Sequence, residues 1–232
     1  MSQFRIFKQV PRLLFGAGTL KRLHELLPEK ENDDYYIFVI DDALKNQAFI
    51  DSLNAFHNEM FEWFPASKKE PSTQQIDDLK AKVVIEKKGT FPKAVIGIGG
   101  GITMDVAKAV SNLLTNSGKA EDYQGWDLVK KPGIYKIAVP TISGTGSEAT
   151  RTCVMTNKKT KLKLGMNSDY TVYDQIIMDP DLSSTVPFSQ YFYTGMDAFI
   201  HCFEALGGTY RNAIGDAFSE QTLNLCQDIF TS

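Results

Sequence analysis

The stretch TGMDAFIHCFEALGG, residues 194–208, sets Asp197, His201 and Glu204 in a sequence apolar enough to predict a buried helix. Burying a charge or an imidazole without a partner is costly, so each of the three needs something to bind. Asp197 and His201 stand four apart and Glu204 three further on, which puts all three on one helix face. HExxH helices use the same i, i+4 spacing to present two ligands to one ion. An aspartate oxygen with an imidazole nitrogen suits zinc or iron(II) and leaves positions for further ligands and substrate. Glu204 offers a third ligand, or an acceptor that orients the imidazole. Cys202 points about 100° away around the helix. The alternative reading is a buried Asp–His hydrogen bond with no metal. Met196, Phe199, Ile200 and Phe203 follow the spacing of a packed face. His24 and His57 have no comparable setting and read as ordinary histidines.

Two loops carry a different chemistry. GIGGGITMD (97–105) leaves an apolar strand through Gly99, Gly100 and Gly101 and enters a helix through Ile102, with Thr103 as the expected cap. Backbone N–H groups at a helix start attract anions, and glycines let a pyrophosphate approach closely. The usual dinucleotide fingerprint would place a third glycine at 102 and would follow the first strand, whereas this loop follows the third. A tight turn that needs glycine is the plainer alternative. PTISGTGSEAT (140–150) is a second such loop, with hydroxyls at Thr141, Ser143, Thr145 and Ser147. Loops that follow strands of one parallel sheet emerge at the same carboxyl edge, where α/β proteins bind ligands. Asp41 ends its strand as VIDD; there it either accepts hydrogen bonds from an adenosine ribose or caps the next turn. In the first case its charge would repel a 2′-phosphate and favour NAD over NADP.

The elements that must position these residues follow from periodicity. YYIFVID (35–41), MFEWF (60–64), AVIGIGGG (94–101) and YKIAVPT (135–141) are apolar runs separated by helical patterns over 43–57, from Ser72 or Thr73 to a stop at Gly89, and beyond 102. Such alternation predicts a Rossmann-like parallel α/β sheet covered on both faces. After QIIMDP (175–180) and the turn-rich DLSSTVP only helical patterns remain. The predicted domains are therefore 1–186, nucleotide-binding, and 187–232, the start of an all-helical domain. KKTKLK (158–163) reads as a solvated hairpin.

The 232 residues carry a formal net charge of −3 and are 43% hydrophobic, enough for one large core or two modest ones. No basic stripe interleaved with aromatics points to nucleic acid. No apolar run approaches the roughly 18 residues of a membrane span, and no signal peptide is apparent. Three cysteines without close pairing suit a reducing cytoplasm.

GGGITMDVAK, VPTISGTGSEAT and TGMDAFIHCFEA together resemble three signature stretches of the iron-dependent alcohol dehydrogenase family, in order and at similar spacing. EPSTQQIDDL, YQGWDLVKKP and SDYTVYDQIIMD look most like its 3-deoxy-octulosonate (Kdo) 8-oxidase branch. The resemblance implies an NAD(P)-binding domain, a helical domain holding Fe2+, or Zn2+ or Co2+, and oxidation of a primary alcohol to an aldehyde. In the branch, that alcohol is the terminal C8 hydroxyl of Kdo or a similar acidic sugar. By the same resemblance Gly99 to Asp105 fall on the pyrophosphate loop, and Thr141, Ser143, Gly144, Thr145 and Thr150 on a second nucleotide stretch. Lys163 falls on a cofactor-contacting lysine, Asp41 on the adenosine-side acid, and Asp197 and His201 on the first two metal ligands. A cytoplasmic homodimer is expected, with a small-molecule substrate and neither nucleic acid nor membrane as partner.

Two departures stand out. Glu70 occupies a position where family members often carry an asparagine. The family's other two metal ligands are later histidines, and none follows His201 here, so the sequence looks like part of a longer protein. A dehydroquinate synthase-like lyase, which shares this architecture, and a non-catalytic nucleotide-binding fragment are the competing functional readings.

Overall fold

Residues 8–31, 33–53, 56, 59–66 and 70–231 are described by the structure, a computed structural model. The chain begins with β1 (Arg12–Phe15) and a short α1 (Leu23–Leu26). The apolar run ending in Asp41 forms β2 (Tyr36–Asp41). The helix expected over 43–57 is shorter. The Asn46 side chain accepts from Phe49 N at 3.0 Å and starts α2 (Gln47–Ser52) there. Positions 54, 55, 57 and 58, His57 among them, lie outside the described residues. β3 (Met60–Phe64) precedes α3 (Thr73–Glu86). Ser72 caps α3 in a reciprocal capping box with Gln75, an arrangement whose loss to alanine costs about 1 kcal/mol. Gly89, at φ +80°, ends the segment as expected.

β4 (Ala94–Gly99) runs into α4 (Gly101–Thr115), followed by the two-residue β5 (Gly125–Trp126) and β6 (Lys136–Pro140). Thr103 is not the cap of α4. Gly100 is the N-cap, so α4 starts as soon as the chain leaves the strand and Thr103 lies inside its first turn. β7 (Thr152–Asn157) and β8 (Leu162–Asn167) form the basic hairpin, and β9 (Gln175–Met178) returns to the main sheet.

That sheet has the order β1-β9-β6-β4-β2-β3 and every pairing is parallel. β2 alternates Ile37 and Val39 into one core with Phe38 and Ile40 into the other, so helices cover both faces. Each such side chain, fully buried, contributes roughly 1.5–3 kcal/mol. With β1 set aside as an added edge strand, the order is second–first–third–fourth–fifth, reversing direction between β2 and β4. Ligands of open α/β sheets bind at that reversal. In this order the crevice lies after the first and third strands, which accounts for a glycine loop on the third. A small sheet, β5-β8-β7, stands beside the main one.

The chain divides into two compact units, Met1–Thr141 with Ser147–Leu182, and Ile142–Gly146 with Ser183–Ser232. Part of the second hydroxyl-rich loop thus groups with the helices, and the sheet-bearing unit runs to Leu182. The second unit holds α5 (Phe188–Gly207) and α6 (Ala213–Thr231). α5 is not buried, against the expectation from its composition; none of its residues is enclosed. Its packed stripe is the one facing α6. The rings of Tyr191 and Phe192 lie 5.8 and 5.6 Å from that of Phe230, which also fills the space where Gly195 lacks a Cβ. Phe199, Ile200 and Phe203 lie off that stripe and are exposed among the described residues.

Candidate nucleotide and metal sites

Asp41 closes β2 at the reversal point. Its carboxylate caps the turn Asp42–Leu44 by accepting from Ala43 N at 3.0 Å, and the backbone N–H of Gly100 lies near enough to favour its charge. Burial pushes this carboxyl above its ordinary range, and the two backbone donors pull the other way. The capping role and the proximity to the glycine loop therefore coexist.

Gly99 sits beside it with φ +155°, and a Cβ there would lie 2.7 Å from Thr103 Oγ1 and 2.8 Å from Asp41 Cβ. Asp41, Gly99 and Thr103 thus meet at one point. The Thr103 hydroxyl is buried and has no hydrogen-bond partner among the described residues. An unsatisfied buried hydroxyl costs about 1–3 kcal/mol, which a ligand acceptor or donor would recover. No side chain caps the start of α4, so the N–H groups around Gly101 and Ile102 are left for another acceptor. An uncapped helix start, an orphaned hydroxyl and a backbone without a Cβ together fit the phosphates of a nucleotide.

The other residues assigned to the nucleotide stretches differ in setting. Thr141 is buried and its N–H donates to Gly99 O at 3.0 Å, tying the ends of β4 and β6. Asp105 has both oxygens engaged, by Ser147 Oγ at 2.6 Å and Val154 N at 2.9 Å. Burial raises its pKa, with the charge of Lys108 drawing it back down. Thr150 is held by Lys108, whose Nζ lies 3.1 Å from Thr150 Oγ1 and 3.0 Å from Thr150 O. Lys163 pairs with Glu70 at 2.8 Å, both half exposed. The hairpin is fastened to that segment by the bond from Thr156 N to Pro71 O at 2.8 Å. The residue that departs from the family pattern is therefore the ion partner of the lysine that follows it. Lys108 was not singled out in the sequence; a lysine in an amphipathic helix gives no sign of burial, and most of its partners are backbone carbonyls.

In the helical unit, Ser143 and Thr145 are exposed, and Gly144 packs on α5. A Cβ at Gly144 would lie 2.7 Å from Thr194 Cβ and 2.8 Å from Thr194 O, one turn before Asp197. His201 Nδ1 and Asp197 Oδ2 are 3.7 Å apart, with the side chains 56% and 43% exposed. That separation is too long for a direct hydrogen bond, and neither side chain is buried. It is short enough for two donors to share one ion at about 2.0–2.2 Å each. Asp197 and His201 therefore fit a pair of metal ligands. Among the described residues no third His, Cys, Asp or Glu joins them, Glu204 included.

Residues 11–180 match the sequence model of the iron-containing alcohol dehydrogenase family. The chain is 36% identical over 166 residues to a sulfoacetaldehyde reductase of Bilophila wadsworthia, covering 71% of this chain and 42% of that protein. It is 33% identical over 165 residues to an NAD-dependent methanol dehydrogenase of Bacillus methanolicus, again 71% and 42%. Among solved structures, a 1,3-propanediol oxidoreductase superposes with a TM-score of 0.84 at 25% identity, over 97% of this chain and 59% of that one. A sulfoacetaldehyde reductase from Bifidobacterium kashiwanohense in complex with NAD+ superposes with a TM-score of 0.75 at 25% identity, also over 97% and 59%. The chain thus spans about two fifths of the length of the curated relatives it matches. No helix among the described residues is long and apolar enough to cross a membrane. With the family match covering most of the sequence and the parallel sheet carrying its glycine loop at the strand reversal, this chain belongs to the iron-containing alcohol dehydrogenase family.

Proposed function

We propose that this chain supplies the nucleotide site and two metal ligands of an oxidoreductase that interconverts a primary alcohol and an aldehyde. The observation that carries the reading is the meeting of Asp41, Gly99 and the unpartnered Thr103 hydroxyl at the β2/β4 reversal. The start of α4 receives the pyrophosphate of NAD(P), Asp41 faces the adenosine ribose, and Thr141, Thr150 and Lys163 complete the nucleotide side. Asp197 and His201 hold a divalent ion, iron(II) by family. When bound, the ion supplies Lewis acidity and the nicotinamide supplies the hydride-accepting carbon. The chain's own residues bind and orient these groups, and no side-chain nucleophile is needed. The name of one relative, an NAD-dependent methanol dehydrogenase, and the NAD+ complex of another support the cofactor choice.

The substrate we assign is Kdo, or a similar acidic sugar with a terminal primary alcohol. Support comes from the branch-like stretches EPSTQQIDDL, YQGWDLVKKP and SDYTVYDQIIMD. We further assign the protein to the cytoplasm as a homodimer. The test is aldehyde formation by the whole protein loaded with iron(II), zinc or cobalt(II) and supplied with Kdo, ethanol or 1,3-propanediol. Preference for Kdo supports the branch. Faster turnover of ethanol or propanediol contradicts it while leaving the alcohol dehydrogenase reading in place.

A further inference from the structure

α4 carries two charged side chains one turn apart, Asp105 and Lys108, and both turn toward the segment from Ser147 to Val154. Lys108 is completely buried. Its three N–H groups have the carbonyl oxygens of Ser147, Thr150 (3.0 Å) and Thr152 (2.8 Å) within reach, with the hydroxyls of Thr150 (3.1 Å) and Ser147 (3.4 Å) beside them. Asp105 takes the hydroxyl of Ser147 and the N–H of Val154 from the same segment. Lys108 Nζ also lies 5.4 Å from the centre of the Tyr173 ring, whose hydroxyl donates to Met104 O at 2.8 Å.

Enclosing an ammonium this fully costs several kcal/mol unless its hydrogen bonds are well made. Stability alone does not explain the choice, since an apolar residue of similar volume would fill the space without that cost. What the ammonium does that methionine would not is collect oxygens of three residues, Ser147, Thr150 and Thr152, around a single point on α4. That helix also presents the nucleotide-binding start at Gly100 to Thr103. Its position thereby fixes both loops at once.

We propose that Lys108, braced by Asp105, is a positioning residue for the nucleotide site: it sets the Ser147–Thr152 segment, and Thr150 in particular, relative to the start of α4. The inference rests on the nucleotide reading above. It acts through placement, and Lys108 itself touches no ligand.

The test uses NADH binding by the 232-residue chain, read by nicotinamide fluorescence, together with the thermal midpoint of each variant. Lys108→Met should weaken NADH by about tenfold, the worth of a charge-assisted hydrogen bond's positioning. Lys136→Met is the control. Lys136 is also buried and lies 3.8 Å from Asp174, with no bond to the 147–152 segment. It should hold NADH within about twofold. Thr150→Val should weaken NADH and, combined with Lys108→Met, should add little further loss. Wild-type affinity in Lys108→Met overturns the proposal, as does an equal loss in Lys136→Met. If Lys108→Met does not fold, wild-type affinity in both Thr150→Val and Ser147→Ala overturns it instead. Absence of NADH binding by the unaltered chain refutes the nucleotide reading and this inference with it.

Discussion

Replacing Gly99 by alanine adds one methyl group at the point where Asp41 and Thr103 converge. The new Cβ would stand 2.7 Å from Thr103 Oγ1, 2.8 Å from Asp41 Cβ and 2.9 Å from Thr103 Cβ. None of these is the far end of a flexible chain, so β2 and the first turn of α4 must separate. Overpacking of this kind costs roughly 1–3 kcal/mol. The φ of +155° is a backbone region essentially reserved for glycine and adds about 1–3 kcal/mol. Taking a sum of about 3 kcal/mol, a unit of this size should lose about 6–12 °C in Tm. NADH affinity should fall by about tenfold or more, because the displaced groups are the ones assigned to the ribose and pyrophosphate. Gly89→Ala is the matched control: φ is +80° but no atom lies within 4 Å of the added Cβ. It should cost about 1–2 kcal/mol and leave NADH binding alone. Scanning calorimetry and NADH titration on both variants test the reasoning. A Gly99→Ala protein that binds NADH like the unaltered chain would refute the placement of the nucleotide at this crevice.

Burial draws Lys108 down from 10.5 to about 8. Between those values the unfolded chain holds a proton at this site that the native chain does not, so the Lys108 contribution to stability should rise as pH increases from 8 to 10.5, by about 3 kcal/mol in order of magnitude. The buried Cys153 thiol, pushed up, works the other way above its ordinary range. The test is therefore the difference between the unaltered chain and Lys108→Met in urea titrations across that window, which should grow in favour of the unaltered chain as pH rises. Asp41→Asn removes a charge that repels a 2′-phosphate and should shift the NADPH-to-NADH affinity ratio upward by about tenfold; an equal change for both cofactors removes Asp41 from the ribose site. Cys153 is fully enclosed and burial pushes its thiol up, whereas Cys202 is partly exposed. Ellman's reagent should therefore modify Cys202 first and Cys153 only on unfolding. Early labelling of Cys153 in the native chain would contradict its packing.

The sheet was readable because its strands are buried on both faces and appear as unbroken apolar runs, YIFVID and AVIGIG being the clearest. The cap at Ser72 and the stop at Gly89 were readable because each follows from one residue's own stereochemistry. β1 was missed: RLLF is four residues long, mostly exposed, and has no alternation to betray it. The start of α4 was misplaced because a glycine cap leaves no side-chain signature, whereas a threonine three residues later does. The apolar composition of α5 reports what the helix can bury, and α6 takes up one stripe of it in this chain. Residue types marked Asp41 and the glycine loop one by one. The convergence of Asp41, Gly99 and Thr103 depends on strand order, which no local pattern encodes. The role of Lys108 was hidden for a related reason, since main-chain carbonyls are present at every position.

A crystal structure of the chain grown with NAD+ addresses the central claim most directly. The account predicts pyrophosphate density at the start of α4, over Gly99 to Gly101, within hydrogen-bond reach of the Thr103 hydroxyl and with the adenosine ribose toward Asp41. Nucleotide bound elsewhere on the sheet, or a Thr103 hydroxyl still without a partner beside an ordered pyrophosphate, would contradict it.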